Sequence, residues 1–226
     1  MSTRAIAELL ALFAPPACVA CRAPLAAADR RVCRACVRAL PWLRATCCPR
    51  CGLPRHRRTG CPAAGAAFTT AWAPLAYEGV ARDLVQALKF RGALGLADLM
   101  AAHIAAALPA GLRGADAVVP VPAHGGRKRA RGFDPAGALA KGLARRLDRP
   151  LESCLTRGGG RRQVGANRAE RRDPSRLAVE LRAPPPKRAL LVDDVHTTGA
   201  TLDACARALT DGGCRWVAAL SYARTL

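Results

Sequence analysis

Leu190-Leu191-Val192-Asp193-Asp194-Val195-His196-Thr197-Thr198-Gly199-Ala200-Thr201 is the stretch on which the fold turns. An apolar run ends in two adjacent carboxylates, and a Thr-Thr-Gly turn follows at once. This is the order expected of a buried strand that leaves a sheet and passes directly into a helix. Such a turn presents backbone N–H groups and hydroxyls beside a helix N-terminus, a ready site for a monophosphate. Asp193 and Asp194 can accept hydrogen bonds from a cis-diol. A phosphate cup and a diol clamp side by side describe a 5-phosphoribosyl group. The competing reading is an ordinary strand-to-helix turn in which the two acids cap the helix.

Outward from this stretch the chain alternates strands with helices. Pro184-Pro185-Pro186 leads stiffly into a strand over 188–192, a helix is predicted over 201–210 with Gly212-Gly213 closing it, and a last strand over 215–222. Further back, Ala115 to Pro122 is a continuous apolar run ending in prolines, which suits a buried parallel strand leaving the sheet at its carboxyl end. Asp134-Pro135 then offers an N-cap with proline at the first helical position, opening a helix to about Leu147. The spacing also predicts a strand over 68–77, helices over 80–90 and 94–108, and a short strand over 151–155. The Gly/Arg-rich tract from Arg157 to Gly165 has little apolar content and is expected to be mobile. Alternation of this kind implies an α/β fold with a parallel sheet flanked by helices and ligands at the strands' carboxyl ends.

Cysteine placement divides the 226-residue chain. Eight of the eleven cysteines fall between Cys18 and Cys61, which sets a segment over 1–65 apart from a domain over 66–226. Cys18-x-x-Cys21 and Cys33-x-x-Cys36 are two paired-thiolate turns, enough for four sulfurs to converge on zinc. Cys48-x-x-Cys51 repeats the turn, but its partner is Cys61 alone, with alanine at position 64. A second zinc would then take Cys47 or His56 as fourth ligand. Pairing between the knuckles stays open, since Cys18 and Cys21 could instead share a metal with Cys48 and Cys51. A redox Cys-x-x-Cys competes, yet repeated pairs suit structural metal better. Cys154, Cys205 and Cys214 read as small core residues.

Export and membrane insertion are not expected. Glu8 interrupts the opening apolar run, whose Ile6, Leu9, Leu10 and Phe13 recur at helical spacing, so the start reads as a short amphipathic helix rather than a signal peptide. No apolar stretch approaches the ~20 residues a membrane span needs. The thiols are therefore expected to be reduced and the chain cytoplasmic.

A formal net charge of +20 points to a polyanionic partner, diphosphate or nucleic acid. The charge is uneven: Arg157 to Arg188 carries ten basic residues against Glu170, Asp173 and Glu180. Aromatics are sparse, which weighs against a single-strand stacking platform. Trp42 and Trp72 read as free to stack and Trp216 as core.

The terminal string of apolar strand, paired acids, an intervening pair and Thr-Thr-Gly-x-Thr resembles the phosphoribosyl-pyrophosphate motif of type I phosphoribosyltransferases. Over nearly its whole length the chain is similar to the ComF family, a zinc ribbon fused to a phosphoribosyltransferase-like domain. The likeness runs through Pro-Pro-x-Cys-x-x-Cys, Leu88-Lys89-Phe90-Arg91-Gly92, Val119-Pro120-Val121-Pro122 with Arg131-Gly132-Phe133, and Arg157 and Gln163 followed by Arg171-Arg172. The resemblance implies a phosphoribosyl transfer with Asp193 and Asp194 as catalytic residues that hold the ribose hydroxyls. It assigns Thr197, Thr198, Gly199, Ala200 and Thr201 to the 5-phosphate, and Arg127, Lys128, Arg129 and Arg131 to the pyrophosphate. Arg161, Arg162, Gln163, Arg171 and Arg172 would belong to a loop that closes over the ligand, with a disordered linker as the alternative. Zinc would be structural, held by Cys18, Cys21, Cys33, Cys36, Cys48, Cys51 and Cys61, while Mg²⁺ would arrive with phosphoribosyl pyrophosphate. Members are linked to uptake of transforming DNA in competent bacteria. That leaves the acceptor nucleophile open and offers a rival: a non-catalytic module engaging single-stranded DNA or a helicase. Two departures matter. Asp134-Pro135 and Asp173 stand where the family commonly has Asn-Gln and Asn, bringing negative charge towards the pyrophosphate.

Overall fold

The computed structural model describes residues 16–27, 30–43, 47–54, 60–123, 132–157 and 178–226. The elements in chain order are α1 (Arg34–Arg38), β1 (Thr70–Trp72), β2 (Leu75–Ala76), α2 (Gly79–Arg91), α3 (Gly95–Ala107) and β3 (Ala117–Pro120). There follow α4 (Pro135–Leu147), β4 (Leu155–Arg157), β5 (Val179–Leu181), β6 (Arg188–His196), α5 (Ala200–Asp211) and β7 (Trp216–Arg224).

The main sheet is parallel and runs β1-β7-β6-β3, with β2 also on β7. The strand expected over 68–77 is present in two pieces. Pro74 separates β1 from β2, because proline has no N–H for the ladder. Both pieces nevertheless stay on β7, Thr70 opposite Ala218 and Leu75 opposite Ala223. β6 is longer than the expected 188–192. Its pairing with β7 carries on through Asp193 opposite Ser221 to His196 opposite Arg224. The strand expected over 151–155 is not a member of the main ladder along its length: Leu151 makes one bridge to Val118, and from Leu155 the chain pairs antiparallel with β5 in a separate ribbon.

The helices form where spacing places them. Asp134 caps α4 through its Oδ1, which accepts the Gly137 N–H at 3.1 Å, and Pro135 supplies the first helical residue. Gly92 ends α2 with a left-handed φ of 63°, a conformation that costs glycine little.

Strand alternation divides the apolar residues between two faces. Val118, Leu190, Val192, Ala218, Leu220 and Tyr222 point to the side covered by α2, α3 and α4. Val119, Leu191, Val217 and Ala219 point to the other side, covered by α5 and the β4–β5 ribbon. The cysteine knuckles share these clusters. Cys18, Val32, Cys36 and Leu40 join the first, whereas Cys51 and Ala63 join the second. Cys154, Cys205 and Cys214 are buried as expected of small core residues. Trp216 departs from expectation: as the first residue of β7 it is only partly buried, and the Arg188 guanidinium stacks over its ring at 4.4 Å. Trp42 is 46% exposed, and Trp72 is half-buried.

Adjacent strands β3 and β6 send their following helices, α4 and α5, to opposite faces. In a parallel sheet that reversal opens a crevice beyond the strands' carboxyl ends, where ligands are bound.

Candidate functional site

The crevice is a cleft of ≈ 580 Å³ lined on one side by Val121, Pro122 and Ala123 after β3 and by Phe133 and Asp134 before α4. Asp193, Asp194, Thr197 and Thr201 line it from β6 and α5. Because consecutive strand residues face opposite sides, the two acids meet different neighbours. Asp194 turns towards α2 and pairs with Lys89 at 2.6 Å. Asp193 lies on the side of α5, where it helps push the buried Cys205 thiol up to about 12, an effect led by burial. Its own carboxyl is pushed up to about 7 by burial and then by the charge of Asp194, although the Asp194 N–H donates to its Oδ1 at 2.8 Å.

Beyond the acids the chain makes the expected turn. Gly199 takes φ +85°, and α5 begins at Ala200 without a side-chain cap from Gly199. The Thr198 hydroxyl accepts the Ala200 N–H at 3.4 Å. Thr197 and Thr198 are exposed. First-turn N–H groups of a helix have no intrahelical partner, so this end of α5 offers donors to an anion. Any side chain at 199 would meet His196, whose Nε2 would lie 2.7 Å from an added Cβ. His196 is buried, and burial followed by the Arg224 charge takes it down to about 4, so the imidazole is neutral at pH 7.

Two cations in the cleft were not among the sequence-derived site residues. Lys89, from α2, is the partner of Asp194, and Arg157, from the end of β4, lines the same cleft. The Arg157 Nε is buried and, among the described residues, has no hydrogen-bond partner. Lys89 stood inside Leu88-Lys89-Phe90-Arg91-Gly92, and its being one of only four lysines in an arginine-rich chain was the available signal. Arg157 stood among the residues that carry the family resemblance, without a role of its own. Arg127, Lys128, Arg129, Arg131, Arg161, Arg162, Gln163, Arg171 and Arg172 lie outside the described residues, as does His56.

The cysteines form two groups. The thiol sulfurs of Cys18, Cys21, Cys33 and Cys36 all lie within 4.8 Å of one another, as do those of Cys48, Cys51 and Cys61. Zinc–sulfur bonds of about 2.3 Å in a tetrahedron set sulfurs about 3.8 Å apart, and Cys21 and Cys33 are separated by 3.7 Å. Backbone N–H groups already point at sulfur: Cys33 N donates to Cys18 Sγ and Cys36 N to Cys33 Sγ, each at 3.4 Å. The first group thus fits zinc in donor set, spacing and supporting hydrogen bonds. The knuckle pairing left open by the sequence is Cys18/Cys21 with Cys33/Cys36.

The double zinc ribbon domain model matches residues 9–65. Along its length the chain is 31% identical to DNA utilization protein YhgH of Salmonella typhimurium, with 95% of this chain and 100% of that protein covered. The protein of the same name from Escherichia coli K12 is 30% identical over the same shares. The chain belongs to the YhgH family. The double zinc ribbon match spans both cysteine groups and supports structural zinc. None of the described helices is long and apolar enough to cross a membrane.

Proposed function

We propose that the cleft binds phosphoribosyl pyrophosphate with Mg²⁺ and that the chain transfers the phosphoribosyl group to an acceptor, in a domain running from residue 66 behind a ribbon segment over 1–65. One observation carries this reading: Asp193 and Asp194, near the carboxyl end of β6, stand beside the N-terminus of α5 within a single cleft that also holds Lys89 and Arg157. The acids would hold the ribose hydroxyls, residues 197–201 the 5-phosphate, and Lys89 and Arg157 would add to the cations of 127–131 that grip the leaving diphosphate. Rate would come from positioning and from stabilising charge as the anomeric carbon loses that group. The metal would neutralise the diphosphate further. Calorimetric titration of phosphoribosyl pyrophosphate with Mg²⁺ into wild type and into the Asp193→Asn/Asp194→Asn double variant tests the reading. Binding by wild type and a loss of at least tenfold in the variant are expected; no heat from wild type would overturn it.

A second reading rests on a separate surface. Arg30, Arg31, Arg34 and Arg38 of the first knuckle line a groove of ≈ 530 Å³ with Arg146 of α4, and Asp98 is the acid in its lining. Asp98 is already taken by Arg145 and Arg146 at 2.7 Å each. Four exposed knuckle arginines therefore face solvent with little local neutralisation, which suits a nucleic-acid backbone. The relatives' name, DNA utilization protein, agrees with a DNA partner, as would a role beside a helicase in DNA uptake. Single-stranded DNA affinity should fall with salt, and replacing the four arginines by alanine should flatten that dependence without touching binding in the cleft.

A further inference from the structure

Arg224 closes β7 and is only 5% exposed, yet among the described residues it has no carboxylate partner. Burial lowers its pKa. A buried guanidinium held by neutral groups alone is costly unless its donors are satisfied, and here backbone carbonyls supply the acceptors. Nε donates to the Cys51 carbonyl at 3.2 Å. Nη1 donates to the His196 carbonyl at 2.8 Å and also to the Thr197 carbonyl. One rigid side chain thus joins a residue of the second cysteine group to the two residues that begin the phosphate turn.

The same two regions are tied by other routes. Arg50, next to Cys51, donates to the carbonyls of Phe68, Thr69 and Ala66. The Phe68 ring sets its edge against His196, with centroids 6.1 Å apart. The Ala67 N–H donates to Asp203 Oδ1 at 2.7 Å in the first turn of α5, and Arg207 reaches back to the Gly65 carbonyl at 2.9 Å. Between these ties lies a cavity of ≈ 220 Å³ bounded by Cys51, Ala63, Phe68, His196, Gly199 and Arg224. The turn therefore has free volume directly behind it. The turn is tied to the knuckle through Arg224 and packs on the Phe68 side through His196.

We propose that metal in the Cys48, Cys51 and Cys61 group acts as a conformational control on the phosphate turn, with Arg224 as the positioning residue that transmits it. A metal drawing three sulfurs together fixes the Cys51 carbonyl. Arg224 then holds the His196 and Thr197 carbonyls back from the cleft, which leaves the N–H groups of the following residues directed into it. Without the metal the Cys51 carbonyl is released, and the turn relaxes towards the cavity. Among the described residues this group brings together three cysteines where the first brings four, with Ala64 where a second Cys-x-x-Cys would end, and on this proposal it is the site that gives up metal first. The anion affinity of the cleft would thereby follow metal supply. That consequence rests on the phosphoribosyl reading; the coupling itself does not.

The test is amide hydrogen exchange over 197–202 in the full zinc-loaded chain, with zinc content measured in parallel, for wild type, Cys61→Ser, Arg224→Lys and Cys36→Ser. Cys61→Ser should lose one zinc and raise exchange over 197–202 at least tenfold. Arg224→Lys, which keeps the charge but loses the three-carbonyl span, should give a similar rise with full zinc. Cys36→Ser, in the other group, should leave these amides within about twofold of wild type. Graded chelation of wild type provides the same reading without substitution: the first zinc to leave should carry the exchange rise. Unchanged exchange after loss of that zinc, or an equal rise in Cys36→Ser, would overturn the proposal. Parallel titration with phosphoribosyl pyrophosphate and Mg²⁺ separates the two claims. If wild type binds, Cys61→Ser should bind at least tenfold more weakly; if wild type shows no binding, the ligand reading falls and the exchange result still decides the coupling.

Discussion

Lys89 Nζ lies 2.6 Å from Asp194 Oδ1, so one of the two acids offered to a ribose diol already holds a cation from α2. The pair is largely shielded, with side-chain exposures of 23% and 9%. Removing one member of such a pair leaves the other charge buried and uncompensated. Lys89→Met is expected to cost about 2–4 kcal/mol in a urea melt at pH 7. It should also weaken phosphoribosyl pyrophosphate binding at least tenfold by calorimetry. A melt unchanged within error would show that the pair contributes nothing.

Asp193 gives a pH dependence of definite sign. Its carboxyl is pushed up to about 7 in the native chain, well above the usual carboxylate range, first by burial and then by the charge of Asp194. The native state thus keeps a proton that the unfolded chain releases. The associated stability is fully present below about pH 4 and is lost as pH rises towards 7. Asp193→Asn should match wild type near pH 4 and exceed it near pH 8 by on the order of 1 kcal/mol. Denaturant melts at the two pH values check this, and a variant less stable at both would refute it.

Zinc removal should be felt on the helical face covered by α2, α3 and α4. Cys18 and Cys36 belong to the apolar cluster there, so their metal organises part of the core as well as the knuckle. Cys36→Ser is expected to lower zinc content by one ion per chain and the melting temperature by several degrees, about 2 kcal/mol or more of stability. Elemental analysis with a thermal melt reads both. Full zinc in Cys36→Ser would remove Cys36 from the ligand set.

Gly142 sits where α4 crosses α3. A Cβ there would come within 2.9 Å of the Ala101 Cβ, with the Ala97 carbonyl at 3.6 Å behind it. Alanine is the better helix former by about 1 kcal/mol, but the overlap forces the helices apart. Gly142→Ala should therefore destabilise by about 1–3 kcal/mol in a urea melt. A gain in stability would mean that the two helices separate freely.

What could be read in advance follows from how local each feature is. The turn between β6 and α5 is contiguous with the acids before it, from Asp193 to Thr201, so strand, acids, glycine and helix start are all written within one stretch. The Asp134-Pro135 helix start was legible for the same reason. Lys89 and Arg157 reach the cleft from separate elements, and no spacing in one dimension encodes that meeting. β5 is a strand of three residues, Val179 to Leu181, too short to show a period. Cysteine spacing spoke to metal but not to packing. That the two groups serve opposite faces of the sheet depends on which way Cys36 and Cys51 point, a property of the assembled sheet.

Thr70 pairs with Ala218, and β7 lies between β1 and β6. During synthesis β1 leaves the ribosome long before the strand that will lie beside it, and β6 is likewise made before its second neighbour. Pairings so distant in sequence carry a large loop-closure cost before any contact repays it. The nascent chain must therefore keep an apolar, unpaired edge in solution until β7 arrives. The ribbon segment, made before the sheet and able to close around zinc through local contacts, is the part that can be folded while the rest waits, and Trp42 and Leu43 lie against Leu75 and Pro74 on the edge that faces away from β7.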